Sequence, residues 1–496
     1  MNLSAKKMSD EDIPFICRVL EQNKAILYCG DQSLKAWYDY FSSEDKDPHE
    51  SHHIIMADAD PAAWLKIHSW NKPEICISML VVDDLFKHKG VGRFAIQFAE
   101  NMARYWAKSA VRVQTTRDNI IATECYLKCG YEIVREMIYK VGDGVDREGY
   151  EFIKSILPEA LTEENLREVL TKMFGTKIVR ADFKSKQLHG GTVGDVRLVT
   201  GNAETADGRK LPYKLVLKAQ KKWERCGDPC SWRREYDLYK SDFGALFSDS
   251  FRWPECYRAE MNEEENETRL WMEYVDGVSG LDLTGEMCER AAEELGRFQG
   301  RLYAEQPAIL KSLTNLSNVD FIKNFYLRYR SSSEVYDYIR SDSCEIPKRL
   351  CNMLISIDEN EDEIWSRIGK LPIVLCHRDF WVTNIIRATE KTALIDWDTA
   401  GWGHFGEDIA SLIADEADAD HMIEYYQKCV PAYYKGFSEY TDISYITDHC
   451  VRELILVMFG YRLVERYKFA KTPDEKTLCL NMLEKIYEME RISYYF

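Results

Sequence analysis

Two hydrophobic periods alternate along the chain. Ile75-Cys76-Ile77-Ser78-Met79-Leu80-Val81-Val82 is an apolar run of strand length. After it Phe94, Ala95, Phe98, Ala99, Met102 and Trp106 recur at helical spacing. Val111 to Thr115 then predicts a strand, and Ala122 to Cys129 a helix that ends at Gly130-Tyr131. Upstream, Ile13, Ile16, Val19 and Leu20 share one face of a helix from Asp10 to Gln22, and 53–57 and 63–67 predict strands. Strands therefore alternate with helices from residue 1 to about 141.

Residues 142–149 break the pattern with three glycines and four charges, which predicts a linker over 142–160. Leu166, Val169, Leu170, Met173 and Phe174 then mark the buried face of a helix. Thr162 suits its N-cap, Glu163 and Glu164 suit its dipole, and Gly175 suits its C′ position. Strands and turns follow over 177–218, with a glycine turn at Gly190-Gly191, and Tyr213 to Ala219 predicts a strand carrying Lys218. A helix from Ser231 to Lys240 carries Glu235, and Leu270 to Gly277 predicts a further strand. Two apolar segments, 373–375 and 393–395, each deliver polar residues: His377 to Asn384, and Asp396.

Bulk properties narrow the setting. A chain of 496 residues is too long for one ordinary core, so two or three domains are expected. The apolar share of 45% and charged share of 30% are those of a soluble globular protein. No stretch approaches the roughly 20 apolar residues of a membrane helix, and the N-terminus lacks an apolar signal core, so a cytoplasmic protein with no membrane partner is expected. Fifteen cysteines, none in a C-x-x-C pair, predict reduced thiols. A net charge of −18 argues against a nucleic-acid partner and is compatible with a cationic small-molecule substrate.

The first segment carries an anion-binding pattern. Between the apolar strand and the helix lie His88-Lys89-Gly90-Val91-Gly92, where backbone N–H groups at a helix start can cradle a pyrophosphate. Farther on, Asn119-Ile120-Ile121-Ala122-Thr123-Glu124-Cys125-Tyr126-Leu127-Lys128-Cys129-Gly130-Tyr131 follows a strand. The order of these motifs resembles the GNAT acyltransferase family over nearly all of residues 1–141. The resemblance implies a mixed central sheet with flanking helices and acetyl-CoA as cofactor. It implies that the amides of His88, Lys89, Gly90, Val91 and Gly92 hold the CoA pyrophosphate, that Asn119 contacts the pantetheine arm, and that Tyr126 is the general acid for the leaving thiolate. Glu74 is a candidate general base for the substrate amine. Lys87 stands where the family has Gln or Arg, which keeps a donor but not planar geometry.

The remaining residues fit phosphoryl transfer. Asp379 can accept a substrate hydroxyl's proton, while Asn384, five residues on, and Asp396 offer hard oxygen ligands to Mg²⁺. His377 is expected to hold the loop by packing and hydrogen bonding. Lys218, at the end of its apolar strand, resembles the kinase strand lysine that pairs with α- and β-phosphates, and Glu235 stands where a kinase helix supplies a partner for that lysine. Gly190 and Gly191 form a turn whose amides can cover phosphate, and Leu270 to Gly277 resembles the hinge between kinase lobes, which implies that the backbone of Glu273 and Val275 bonds the base. Asp396-Trp397-Asp398, followed by Gly403 to Ala410, resembles the aminoglycoside phosphotransferase/choline kinase family over about 160–496. That implies a bilobal protein-kinase-like fold, with a β-rich N-lobe and hinge at 161–275 and a helical C-lobe at 276–496. It also implies ATP or GTP with Mg²⁺, Asp408 as a brace for the catalytic loop, and Arg378 in place of a common glycine. The expected whole is an α+β and α/β multi-domain, bifunctional enzyme that phosphorylates a hydroxyl and acetylates an amine, with aminoglycoside antibiotics as the leading substrate. The alternative is a kinase of an amino alcohol or sugar with a non-catalytic GNAT-like domain.

Overall fold

The computed structural model describes residues 1–27, 40, 49–69, 74–106, 108–140, 145–156, 160–188, 194–223, 228–264, 266–415, 419–447, 449–492 and 494. Two compact units are present: residues 1–168, 177–197 and 202–210, and residues 169–176, 198–201 and 211–496.

The first unit is built on seven strands: β1 (Leu3–Lys7), β2 (Glu50–Ala57), β3 (Asp60–His68), β4 (Glu74–Val82), β5 (Ala110–Thr116), β6 (Glu132–Lys140) and β7 (Asp146–Ser155). Their order in the sheet is β1-β2-β3-β4-β5-β7-β6. β4 and β5 are parallel, and helix α2 (Val91–Tyr105) makes the crossover that parallel neighbours need. Ala95, Ile96, Ala99 and Ala103 of α2 bury one sheet face with Ile55, Leu65, Ile75 and Val111. Helix α1 (Ile13–Gln22) covers the other face, setting Phe15, Ile16, Val19 and Leu20 on Ile54, Trp64 and Val81.

The sheet contains a gap by design of its register. β4 pairs with β5 only from Glu74 opposite Ala110 to Ile77 opposite Val113, although β4 runs on to Val82 and β5 to Thr116. On its other edge β4 slips register against β3, between Lys66 opposite Met79 and Ile67 opposite Ile77, which makes Ser78 a bulge. The two strands part where the bulge lies.

The expected linker is corrected here. Asp146–Ser155 is a full strand paired with both β5 and β6. Its glycine serves close packing: a Cβ at Gly149 would fall 2.6 Å from the Thr115 carbonyl oxygen and 2.5 Å from the Tyr139 ring. The glycine and charges that suggested a linker thus belong to a sheet strand. Helix α4 (Glu163–Phe174), after the shorter α3 (Ile120–Lys128), begins as expected, with Thr162 Oγ1 accepting from the Asn165 N–H at 3.2 Å, and Gly175 follows with φ +62°.

Strands β8 (Ile178–Ala181), β9 (Lys184–Gln187) and β10 (Asp195–Thr205) come next. Arg197 is buried in the first unit, where it donates to Asp195 Oδ2 at 2.7 Å, to the Ser109 carbonyl at 3.0 Å and to the Ile156 carbonyl.

In the second unit β11 (Lys210–Lys221) pairs antiparallel with β14 (Glu267–Glu273), which pairs with β13 (Cys256–Asn262); β12 (Phe251–Arg252) lies parallel to β17 (Lys391–Leu394). Helix α5 (Ser231–Tyr239) precedes these last strands. A helical part follows, in which α6 (Gly285–Glu305) packs against α8 (Met422–Ser438) through Leu295, Phe298, Tyr433 and Phe437, with α7 (Glu407–Ala414) between them in sequence. Two hairpin-like pairs are set into it: β15 (Ile373–Cys376) with β18 (Gly401–His404), and β16 (Ile385–Ala388) with β17. Gly277 lets the chain after β14 lie against β16, since a Cβ there would meet the Arg387 carbonyl oxygen at 2.7 Å. No helix among the described residues is long and apolar enough to cross a membrane. The architecture has the expected parts: a mixed sheet with flanking helices, then a β-rich and a helical part.

Candidate active sites

The candidate phosphotransfer site is assembled by the β16–β17 hairpin. Its register sets Ile385 opposite Leu394, and the Ile395 N–H donates to the Asn384 carbonyl at 3.0 Å. Asn384 and Asp396, twelve positions apart in sequence, are thereby neighbours. Asn384 Nδ2 donates to the Asp379 carbonyl at 2.9 Å and to its Oδ2 at 3.0 Å. The Asn384 donor is thus used, and the atom it offers a cation is Oδ1.

His377 holds the loop, as expected. Its Nε2 is 3.0 Å from the Ile395 carbonyl, and its Nδ1 accepts from the Asp379 N–H at 3.2 Å. Those partners fix a neutral ring with the proton on Nε2. The ring stands edge-on to Trp397, 4.6 Å between centroids, and Trp397 is fully buried among Phe243, Phe247 and Phe298.

Lys218, on β11, is bonded to two carboxylates. Its Nζ is 2.5 Å from Glu235 Oε2 and 2.6 Å from Asp396 Oδ1. Burial by itself lowers the ammonium pKa, but Asp396, Glu235 and Asp398 outweigh it and hold the group well above the ordinary lysine value. Lys218 is therefore a permanent cation at the metal loop.

Asp408 braces the catalytic loop from below. Its carboxylate accepts from the backbone N–H of His377 at 2.9 Å, from that of Arg378 at 2.7 Å, and from Gln299 Nε2 at 2.8 Å. Burial pushes its carboxyl up to about 6, against the pull of the two backbone donors. Arg378 lies in the left-handed region with φ +65°, a conformation that costs a non-glycine residue about 1–2 kcal/mol. Its side chain is nearly inaccessible, at 2% exposure, and lies over the Phe321 ring.

The expected base-binding segment is altered in one respect. The Glu273 N–H donates to the Glu255 carbonyl at 2.8 Å, so a base contact at Glu273 cannot use it. Its carboxylate is bidentate with Arg252 at 2.6 and 2.8 Å. Val275 follows the end of β14 and is buried. Gly190 and Gly191 lie outside the described residues.

In the first unit the helix start matches the anion cradle. Gly90 caps α2 with φ +86°, and His88 is also left-handed with φ +57°. Buried Asp83 stiffens this turn: Oδ1 accepts from the Leu85 N–H at 2.9 Å, and Oδ2 is 2.8 Å from Arg18. First-turn amides from Val91 and Gly92 open a helix of 15 residues, which suits phosphate. Lys89 lies over the Phe86 ring, and Lys87 pairs with Asp84 at 2.5 Å.

Tyr126 is buried against Tyr131 and Phe152. Burial, helped by the thiols of Cys125, Cys76 and Cys129, raises its phenol above the ordinary value, so it retains a proton to give. Asn119 has a second duty, because its side chain caps α3 by accepting from the Ala122 N–H at 3.2 Å.

Glu74 is corrected. It lies at the paired end of β4, away from the gap, and Arg112 binds both its oxygens at 2.7 and 2.8 Å. A carboxylate held in a bidentate fork is a structural ion-pair partner rather than a base open to an amine.

Several site residues escaped the sequence. Arg234 is buried beside Glu235, and Ser317 lies in an irregular segment; neither periodicity nor motif marks them. Glu50 on β2 gathers Lys66 at 2.6 Å, His68 Nε2 at 2.8 Å and Tyr40. Although burial opposes it, these partners pull the Glu50 carboxyl down to about 2. Only strand pairing, which sets Glu50 opposite His68, brings that group together.

Comparisons with known proteins match two separate segments of the chain. Residues 20–131 match the acetyltransferase (GNAT) family, and residues 244–437 match the phosphotransferase enzyme family. A streptothricin acetyltransferase of Escherichia coli is 26% identical over 95 residues, covering 19% of this chain. The chain spans about half the length of that relative, 55%. Among solved structures, the spermidine N-acetyltransferase of Vibrio cholerae in complex with CoA and spermine is 12% identical, with a TM-score of 0.29, over 31% of this chain and 95% of that one. The ribosomal-protein-S18-alanine N-acetyltransferase of Escherichia coli is 13% identical, with a TM-score of 0.26, over 32% of this chain and 99% of that one. The chain thus carries one segment that matches the acetyltransferase (GNAT) family and a separate one that matches the phosphotransferase enzyme family.

Proposed function

We propose that the protein is a bifunctional enzyme that phosphorylates a hydroxyl of a small molecule from ATP or GTP and acetylates an amine from acetyl-CoA. The carrying observation is the bridge of Lys218 to Glu235 and Asp396, with Asp379 and Asn384 on the adjoining loop. Asp379 orients the acceptor hydroxyl and takes its proton as the oxygen attacks the γ-phosphorus and the bond to the β–γ bridging oxygen breaks, releasing the nucleoside diphosphate. Lys218 offsets charge on the phosphates. Mg²⁺ fits the donor set, because Asn384 Oδ1 and the Asp396 carboxylate are hard oxygens. When bound, the ion neutralises charge on the β- and γ-phosphates.

In the acetyltransferase segment the amides of His88 to Gly92 would hold the CoA pyrophosphate, and the gap between β4 and β5 would admit the pantetheine arm. A neutral amine attacks the thioester carbon, the C–S bond breaks, Tyr126 gives its proton to the departing thiolate, and the proton lost by the amine nitrogen passes to solvent, from which Tyr126 is reprotonated.

A cationic antibiotic, with aminoglycosides first, is the leading acceptor. The likeness to a streptothricin acetyltransferase and the net charge of −18 support that choice. A second reading, a kinase of an amino alcohol or sugar whose GNAT segment binds acetyl-CoA without turnover, is favoured by the Glu74–Arg112 pair, which ties up the candidate base. The test is nucleotide and acetyl-CoA consumption over a panel of aminoglycosides, streptothricin and amino alcohols. Modification of an antibiotic by either half supports the first reading; turnover of amino alcohols alone, with acetyl-CoA bound but not consumed, selects the second.

A further inference from the structure

We propose that residues 315–318 form a clasp that positions Asp379, with Arg378 and Ser317 as positioning residues. The proposal deepens the kinase reading and rests on it for the role of Asp379. The segment lies between a short helix ending at Ser312 and a helix beginning at Phe321.

Three elements of the phosphotransfer site converge on it. The first is the strand after the metal loop. Ser317 bridges Gly401: its N–H donates to the Ala400 carbonyl at 3.2 Å, and its own carbonyl accepts from the Trp402 N–H at 2.9 Å. The second is the catalytic loop. Arg378 Nη1 donates to Ser317 Oγ at 2.7 Å, and Nη2 donates to the Asn318 carbonyl at 2.7 Å and to the Trp402 carbonyl. The third is α5, the helix of Glu235. Buried Arg234 donates to the Asn315 carbonyl, to the Asp398 carbonyl at 2.6 Å and to Asp228 Oδ2 at 2.6 Å.

The backbone explains why the clasp acts on Asp379. Arg378 adopts φ +65°, which a glycine would reach without strain. Its guanidinium has hydroxyl and main-chain acceptors on the 315–318 segment, a main-chain acceptor on β18, and Glu407 Oε2 at 3.6 Å. Those anchors hold the left-handed turn, and the turn sets the direction in which the next residue, Asp379, projects. Asp379 is then fixed from its other side by Asn384. Without the guanidinium the turn is free to relax, while the core helices α6 and α8 keep their packing.

Arg378→Gly in the full chain is the decisive variant, because glycine keeps the turn accessible and removes only the anchor. Hydrogen exchange is followed by mass spectrometry, alongside Mg–ATP binding by calorimetry and γ-phosphate release. Expected are exchange about tenfold faster in 377–384 and 399–402, with α6 and α8 unchanged. Phosphate release falls about tenfold at saturating nucleotide while nucleotide affinity stays within about threefold. Millimolar guanidinium restores part of the rate and of the protection, which a merely structural role would not give. Ser317→Ala shifts exchange in the same direction. Exchange in 377–384 within about twofold of the parent in both variants overturns the clasp. A parent chain that binds no nucleotide removes the kinase reading instead, and the exchange result still decides whether the clasp holds the loop.

Discussion

Lys218 Nζ lies 2.6 Å from Asp396 Oδ1 although the two residues are 178 positions apart. Glu235 holds the same nitrogen at 2.5 Å. Removing the cation leaves buried Glu235 with no counter-charge, which costs about 3–5 kcal/mol for a buried pair. Lys218→Met is therefore expected to lower the unfolding midpoint of the second unit and to abolish phosphoryl transfer. Thermal unfolding followed by calorimetry, with γ-phosphate release on the same sample, checks both effects.

Asp379→Asn keeps the side-chain shape and removes the proton acceptor. Turnover is expected to fall about 10²–10⁴-fold, with Mg–nucleotide affinity nearly unchanged because Asp379 faces the acceptor. Retained turnover in a steady-state assay would refute its role as base.

Tyr126→Phe is expected to slow acetylation while phosphorylation proceeds as in the parent. Since burial raises the phenol above its ordinary value, the alkaline fall in acetylation that Tyr126 causes lies above about pH 10. A rate–pH profile measured from pH 7 to 10.5 would show an unbroken plateau to that point.

Glu50 supplies a stability test with a definite sign. Its carboxyl is held at about 2 in the fold, below the ordinary value of 4.5. A depressed carboxylate stabilises the fold above its unfolded value and loses that contribution as pH falls through the folded one. The parent is thus expected to lose stability between about pH 4.5 and pH 2 more steeply than Glu50→Gln, whose loss over that window is flatter. Unfolding midpoints at half-unit steps of pH measure the difference.

Gly149→Ala should destabilise the first unit by about 1–3 kcal/mol, as overpacking does, because the new methyl meets Thr115 and Tyr139 across two strands. Had 142–160 been a free linker throughout, the substitution would be silent in denaturant unfolding.

The catalytic and metal loops were legible because short-range constraints write them. An apolar strand that must bury itself, followed by a polar loop of fixed length, leaves His377, Asp379, Asn384 and Asp396 at readable spacings. The GNAT motifs are legible for the same reason: a strand, a glycine turn and a helix start follow one another within one stretch of chain. Gly149 shows the limit, since a glycine demanded by a neighbouring strand looks in sequence like a glycine demanded by a flexible joint.

By itself, then, the sequence determined the two fold types, most of their elements and the polar side chains at the ends of buried segments. Periodicity and motif spacing are local properties, and those features follow from local burial. Tertiary structure alone decided which polar groups meet: that Glu74 is spent on Arg112, that Glu50 gathers Lys66 and His68, and that Arg234, Arg378 and Ser317 tie three loops together. Such pairings depend on strand register and on contacts between distant segments, and a charged residue carries no mark in the sequence of whether its partner is water or a carbonyl 80 positions away.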